Sequence, residues 1–427
     1  MKNLTWALLG GKPAFNEMLH VGSPNIGDEE KLIERIRLSL RERRLTNKGP
    51  RVQELEEKLR DRLGVRHVIL MSNGTTALEI AIRSTGLTGE VIVPSMTFIA
   101  TAHALQWQQI KPVFADVNPG TLTINPLSVE KLITPRTTGI IGVHLWGRSC
   151  DTDALESIAA RHRLKLLFDA AHAFDVEGTG GKMIGSFGDA EVFSFHATKF
   201  FNTFEGGAVA TNNDVLARKI RLMQNFGFAG EDSVIYIGVN GKMNEVCASM
   251  GLTSLESIDT FEACNRRNYH SYQLEFSRIP GISLIEHSVD KKTNYQYITV
   301  RVKESEFGLS RNQLMRLLQA ENIRVRRYFY PGCHKMEPYR SLYRVSPGSL
   351  PITENALDEV LTFPTGTAID QGIIQKIGEL VETAYIQSES LKSQLLKNEP
   401  QSISDDMTEE NNVSRQTSLA FTPLGTH

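Results

Sequence analysis

The chain has 427 residues, 41% hydrophobic and 22% charged, which is ordinary globular composition; at this length two or three structural units with a substantial core are expected, without staples. A formal net charge of -2 provides no global basic field, which argues against a nucleic-acid partner and leaves any anionic small substrate to local Arg and Lys side chains. Cys150, Cys247, Cys264 and Cys333 show no CxxC or other metal-ligand spacing, Gly10-Gly11 breaks the short apolar run at the N-terminus, and no stretch has the ~18–20 apolar residues of a membrane span, so the expectation is a cytoplasmic protein with free thiols, no metal site and no membrane partner.

In chain order, Asp28, Glu29 and Glu30 in a first turn, with Leu32, Ile33, Ile36 and Leu40 on one face, predict a helix over residues 28–40. The breakers Thr46-Asn47-Lys48-Gly49-Pro50 separate it from a second helix over 51–63. The pattern then alternates. Strands are predicted over 67–71, 90–93, 112–117, 138–145, 164–168 and 191–195, and helices over 76–84, 100–108 and 151–163. Several strands are apolar throughout, so an α/β unit with a mainly parallel sheet covered on both faces is expected over residues 1–257.

Residues 258–387 read as a smaller α+β domain. A strand over 294–302 puts Tyr295, Tyr297, Thr299 and Arg301 on one side. Ser310 and Gln313 form a capping box ahead of a helix, a strand follows over 324–329, and a helix over 370–385 aligns Ile373, Ile377, Leu380 and Ala384. Residues 388–427 are rich in Ser, Glu, Asn, Gln and Thr with Phe421 as the one aromatic. Such a segment cannot bury enough apolar area to offset its ordering entropy, and a disordered tail is expected.

The most informative stretch holds Phe168-Asp169-Ala170-Ala171-His172-Ala173-Phe174, then Ser194-Phe195-His196-Ala197-Thr198-Lys199, then Glu205-Gly206-Gly207. Asp169 and Lys199 each follow an apolar strand, where open α/β sheets place ligand-binding groups. An amine and a carboxylate at such positions are what pyridoxal phosphate needs: a lysine for the Schiff base and an acid against the pyridine nitrogen. The turn Ser72-Asn73-Gly74-Thr75-Thr76, between a strand and a helix, can hold the phosphate on backbone amides, although a plain helix cap explains the same residues. By residue type alone Phe98 also fits a core position, Asn240 a turn, and His196 a local hydrogen bond. Arg324, Arg326 and Arg327 fit either a diphosphate site or a solvated edge strand.

Taken together, these segments resemble the DegT/DnrJ/StrS-type sugar-nucleotide aminotransferases, a branch of the aspartate aminotransferase (fold type I) superfamily. The match begins at Leu9-Gly10-Gly11-Lys12-Pro13 and runs to about Tyr385. It also includes Pro94-Ser95-Met96-Thr97-Phe98, Val143-His144-Leu145-Trp146-Gly147, Gly238-Val239-Asn240-Gly241-Lys242-Met243-Asn244-Glu245 and Leu350-Pro351. The resemblance implies a seven-stranded, mainly parallel sheet with a smaller C-terminal domain, and pyridoxal phosphate as cofactor. It implies Lys199 as the Schiff-base lysine and proton carrier and Asp169 as the partner of the pyridine nitrogen. His172 would lie beside the phenolic oxygen and Phe98 would stack on the ring. Gly74, Thr75, Thr76 and Ser194 would bind the phosphate, and Asn240 would reach it from the partner of a homodimer with shared active sites. Asn240-Gly241 lacks the aromatic usual after that Asn.

His334, Tyr330 and Arg327 would contact the sugar. Glutamate would be the donor and a nucleotide-linked keto sugar the acceptor. The stretches at 169–173, 196–199 and 327–334 resemble members that aminate C4 of dTDP-4-keto-6-deoxyglucose. A 3-keto isomer, a UDP- or GDP-sugar, another fold type I enzyme using Arg340 or Arg344 for a carboxylate, and a non-catalytic regulator are the alternatives.

Overall fold

The computed structural model describes residues 5–288 and 290–397. Two helices open the large unit: α1 (Glu29–Glu42), capped by the Asp28 side chain, and α2 (Pro50–Leu63), with Pro at its first position. Of the face predicted for α1, Leu32 is buried but Leu40 is exposed. The helix is tied to a later one through Arg35, whose guanidinium donates to Thr253 and Glu256, and Leu40 lies beyond that seam.

The central sheet holds seven strands: β1 (His67–Met71), β2 (Glu90–Pro94), β3 (Lys111–Ala115), β4 (Thr137–Val143), β5 (Lys165–Asp169), β6 (Ala190–Ser194) and β7 (Gly207–Thr211). Their spatial order is β1-β7-β6-β5-β4-β2-β3, and β7 runs antiparallel to both neighbours while the other pairs are parallel. β7, of small residues (Gly-Ala-Val-Ala-Thr), gives no strong apolar pattern and was not among the predicted strands.

The alternation of side chains decides which face each residue serves. Leu166, Phe168 and Phe193 enter a core shared with α2, whereas Leu167, Ala190 and Val192 enter the core on the opposite face, under α3 (Gly74–Thr85) and α4 (Ala100–Gln106). Asp169 and Ser194 keep step with Leu167 and Val192. They therefore emerge at the strand ends on the α3 side. The predicted helix over 151–163 is α5 (Thr152–His162), with Asp151 as its cap; α6 (Asp214–Met223) covers the α3 side.

The chain turns at Ser257 between α7 (Glu245–Glu256) and α8 (Ile258–Phe276), then forms a three-stranded antiparallel sheet of β8 (Ile282–Leu284), β9 (Ile298–Val302) and β10 (Val360–Phe363). This sheet shares a core with α8, α9 (Arg311–Ala320) and α10 (Gln371–Ile386). The capping box at Ser310 and Gln313 is formed. The predicted strand over 324–329 is not. Only Ile323–Arg324 is paired, Arg326 exchanges both backbone bonds with Thr362, and beyond it turn bonds from Tyr330 N–H to Arg327 and from Gly332 N–H to Phe329 replace ladder bonds.

The N-terminal segment is seated on this second unit. Strand Leu19–His20 pairs in parallel with Ile323–Arg324, Glu321 accepts from the amides of Ala7 and Ala14 at 2.7 Å, and the buried Trp6 donates to Gln387. Asp175 joins the two units from the other side, accepting from Arg62 through two nitrogens and from Lys292, each at 2.8 Å.

The tail expected to be disordered begins instead with α11 (Ser388–Lys397). Leu391 and Leu395, four apart and hence on one face, are buried in the core of the second unit; three leucines in an otherwise polar decade are a weak compositional signal, but two of them on one face are a sufficient packing one. Residues 398–427 lie outside the described residues. No helix of the described residues is long and apolar enough to cross a membrane. Replacing Leu395 by Ala should cost about 2–5 kcal/mol, read as a lowered urea midpoint, whereas Ser393→Ala on the exposed face should leave the midpoint unchanged.

Candidate active site

A cavity of about 420 Å³ opens where β4, β5 and β6 end. Val143, Asp169, Val192 and Ser194 form its floor, the Asn73-Gly74-Thr75 turn one wall, Phe98 and His172 another, and Tyr297, Arg326, Tyr328 and Phe329 reach it from the second unit. Lys199, His196, Thr198 and Glu205 complete it.

Asp169 is 5% exposed and both its oxygens are occupied. Oδ2 accepts from the Thr101 hydroxyl at 2.8 Å and Oδ1 from the Ala171 amide at 3.0 Å, while Thr97 stands 2.9 Å behind Thr101. Two donors fix the plane of the carboxyl group. Lys199 is half-buried. Burial pushes its amine down to about 8, and Asp169 opposes that shift by favouring the ammonium. A tenth of such amines are already neutral one pH unit below that value, so a nucleophile is available under mild conditions.

His172 is buried, and burial together with Lys199 holds it well below the usual imidazole range. Its Nδ1 accepts the Trp146 amide at 3.3 Å. Its ring is parallel to Phe329, 5.8 Å away, and tilted against Tyr297 at 4.7 Å. Phe98, 56% exposed, presents a free aromatic face, its centroid 6.0 Å from that of Phe329.

The turn before α3 is shaped for close approach. The Asn73 side chain caps the helix by accepting from Thr76 N–H at 2.8 Å, leaving earlier amides at the helix start unused within it. A Cβ at Gly74 would meet Cβ of Ser194 at 2.9 Å, and one at Gly207 would meet the Asn73–Gly74 peptide at 2.6 Å. The Glu205-Gly206-Gly207 motif thus lets β7 pass directly beneath the turn. Thr75 lines the cavity; Thr76 lies behind it.

A flat heterocycle carrying an aldehyde, a basic ring nitrogen, a phenolic oxygen and a phosphate fits this donor set: amine, carboxylate, imidazole, aromatic face and helix N-terminus. When bound, such a cofactor withdraws electrons from the substrate carbon. Lys199, Asp169, His172, Phe98 and the Gly74 turn are the residues that would hold it, with Lys199 Nζ the group placed to move a proton.

The other predicted residues fall outside this cavity. His334 is buried against Ser95, at 2.6 Å, and Glu354, at 3.3 Å. Tyr330 is held between Arg311 and Arg327, with guanidinium-to-ring distances of 5.1 and 4.5 Å. Of the three clustered arginines, Arg326 rather than Arg327 lines the cavity. Its guanidinium lies over Tyr328 at 5.1 Å, and no carboxylate pairs with it among the described residues. Asn240 is exposed on the chain beyond a hairpin of Phe228–Gly230 and Ser233–Val234 and does not reach the cavity of its own chain.

Thr101, Tyr297, Tyr328 and Phe329 were missed. The alternation noted for Tyr295 and Tyr297 carried a signal for one of them; Thr101 had none.

The model of the DegT/DnrJ/EryC1/StrS aminotransferase family matches residues 27–382. A dTDP-4-amino-4,6-dideoxy-D-glucose transaminase of Shigella dysenteriae is 40% identical over 369 residues, 86% of this chain and 97% of the relative. A GDP-perosamine synthase of Caulobacter vibrioides is 34% identical, over 78% of this chain and 90% of the relative. The crystal structure of DesI in the presence of its TDP-sugar product is similar with a TM-score of 0.87 and 43% identity, covering 91% of this chain and 98% of DesI.

In the ligand-free protein, modification of Lys199 by an amine-reactive reagent should rise with pH to half its maximum near pH 8. Asp169→Asn removes the anion that favours the ammonium, so the midpoint should move down. A midpoint at the ordinary lysine value, unmoved by that variant, would contradict the coupling.

Proposed function

Because the chain belongs to the DegT/DnrJ/EryC1/StrS aminotransferase family and has the fold type I architecture of that superfamily, we propose that it moves an amine from glutamate to C4 of dTDP-4-keto-6-deoxyglucose, with pyridoxal phosphate held at Lys199 and Asp169. The observation that carries this reading is the meeting of Lys199 and Asp169 in one cavity, where the carboxylate favours the lysine's ammonium against the burial that lowers it.

Lys199, with an amine that burial makes easier to deprotonate, would hold the cofactor and would carry the proton at the substrate carbon. Asp169, oriented by Thr101 and Ala171, would sit against the pyridine nitrogen and favour its protonated form. Gly74, Thr75 and Ser194 would hold the phosphate, with Thr76 bracing the turn behind them. Phe98 would stack on the ring, and His172 would donate to the phenolic oxygen. The named activity of the Shigella relative supports the C4 ketone on a dTDP carrier; the GDP-perosamine synthase makes a GDP-linked ketone the alternative to exclude.

A homodimer in the cytoplasm belongs to the same proposal. Phe226, Val234, Ile235, Ile237 and Val239 are all exposed around the hairpin next to Asn240, and Trp107 is 80% exposed. Such apolar side chains on one arm favour cover by a second copy, which would bring Asn240 to its partner's phosphate site. All four cysteines are free thiols.

The protein loaded with pyridoxal phosphate should show a visible absorption band that disappears with glutamate and returns when the correct nucleotide keto sugar is added. Lys199→Ala should lose the band and turnover. Return of the band with a free keto acid but with no nucleotide keto sugar would sink the sugar assignment.

Arg326 lines the cavity with no acidic partner among the described residues, and it is the residue proposed to meet the substrate's diphosphate. Arg326→Ala should raise KM for the nucleotide sugar roughly tenfold or more, the size of a lost charge-assisted hydrogen bond, with a smaller change in kcat.

A further inference from the structure

We infer that the main-chain N–H of Trp146 fixes His172 as a neutral imidazole with its proton on Nε2, before any ligand arrives. The inference deepens the proposed reading of this site, and it rests on that reading only for its use. The tautomer itself belongs to the ligand-free chain.

The geometry begins with a backbone that a large side chain rarely adopts. Trp146 has φ 52 and ψ 34, in the left-handed region, although it is a fully buried indole. That conformation is disfavoured for a residue with a Cβ, and its persistence asks what it is for. Its effect is to aim the amide of Trp146 at Nδ1 of His172, 3.3 Å away. An amide can only donate, so Nδ1 must be the unprotonated nitrogen and Nε2 the protonated one.

Three further contacts hold the acceptor in place. Asn294 donates to the carbonyls of His172 and Phe174, each at 3.0 Å, and fixes the backbone on both sides of Ala173. Gly147 makes room for it, since a Cβ there would come 2.8 Å from Asn294 Oδ1. Phe329 and Tyr297 hold the ring's orientation. The titratable groups facing the ring also disfavour a second proton. Lys199 repels one, and Tyr297, buried and pushed well above the usual phenol range, stays neutral and offers no anion.

The indole Nε1 of Trp146 has no hydrogen-bond partner and is buried, so the residue tolerates two costs, a strained backbone and an unsatisfied donor. Trp146 is therefore a positioning residue. It acts through His172, which is left with one N–H to offer an anionic ring oxygen and no freedom to turn acceptor.

The test uses full-length ligand-free protein labelled with 15N histidine, with the His172→Gln spectrum identifying the His172 signals. At about pH 6 to 8, where a free imidazole titrates, His172 should remain neutral with its proton on Nε2. A proton on Nδ1, a mixture of tautomers or an imidazolium would overturn the inference.

In His172→Leu, amide hydrogen exchange at Trp146 should quicken about two- to tenfold, the loss of one hydrogen bond, and an unchanged rate would also overturn it. Neither readout needs cofactor. A protein with this tautomer that failed to form the visible band would sink the cofactor reading and leave the inference standing.

Discussion

The site depends on one electrostatic arrangement: an amine and a carboxylate share a small, half-closed space at the ends of neighbouring strands. Burial drives Lys199 toward its neutral form, and Asp169 pulls it back. Asp169 itself is anchored by a hydroxyl and an amide, so its charge is fixed in place while that of Lys199 is adjustable. Most of the surrounding structure serves this inequality. The parallel strands β4 to β6 set the floor, α3 and α4 bring the Gly74 turn and Thr101, and the second unit adds an aromatic and cationic lid of Tyr297, Tyr328, Phe329 and Arg326.

The sequence was legible where one local rule decided the outcome. β1 was read to the residue, and the capping box at Ser310 and Gln313 was read ahead of its helix, whereas Asp28, Asp151 and Asp370, read as first helical residues, are the caps that precede them. It failed where tertiary context overrode local pattern. β7 is built of small residues because it passes beneath a turn that leaves no room for a Cβ at Gly207, and that requirement erased the apolar signature of a strand. Residues 324–329 alternate like a strand, but the chain must bend there to bring Phe329 to His172. The tail was read by composition, which averages over the two leucines that matter in α11.

The site was legible to the same extent. Asp169, His172, Ser194 and Lys199 lie at strand ends or just beyond, and the chain order of their motifs was enough to bring them together. Thr101 was not legible, because a threonine on a short helix has no mark until the fold places it 2.8 Å from a carboxylate. Arg326 and Arg327 were separable only by knowing which way an irregular segment turns. Tyr330 and His334 lie close in sequence to the cavity wall yet are engaged elsewhere, Tyr330 between two guanidinium groups and His334 with Ser95 and Glu354.

The seating of the N-terminus on the second unit bears on how the molecule is made. Residues 6–20 find their partners at Glu321, Ile323 and Gln387, more than 300 positions away. A nascent chain must therefore carry residues 6–20 unseated until residues 321–387 have left the ribosome. During that interval Trp6 has nowhere to go, and the exposed strand edge of Leu19–His20 is open to the wrong neighbour. Seating of residues 6–20 would then be a late event of biosynthesis, completing a unit whose parts are made far apart in time.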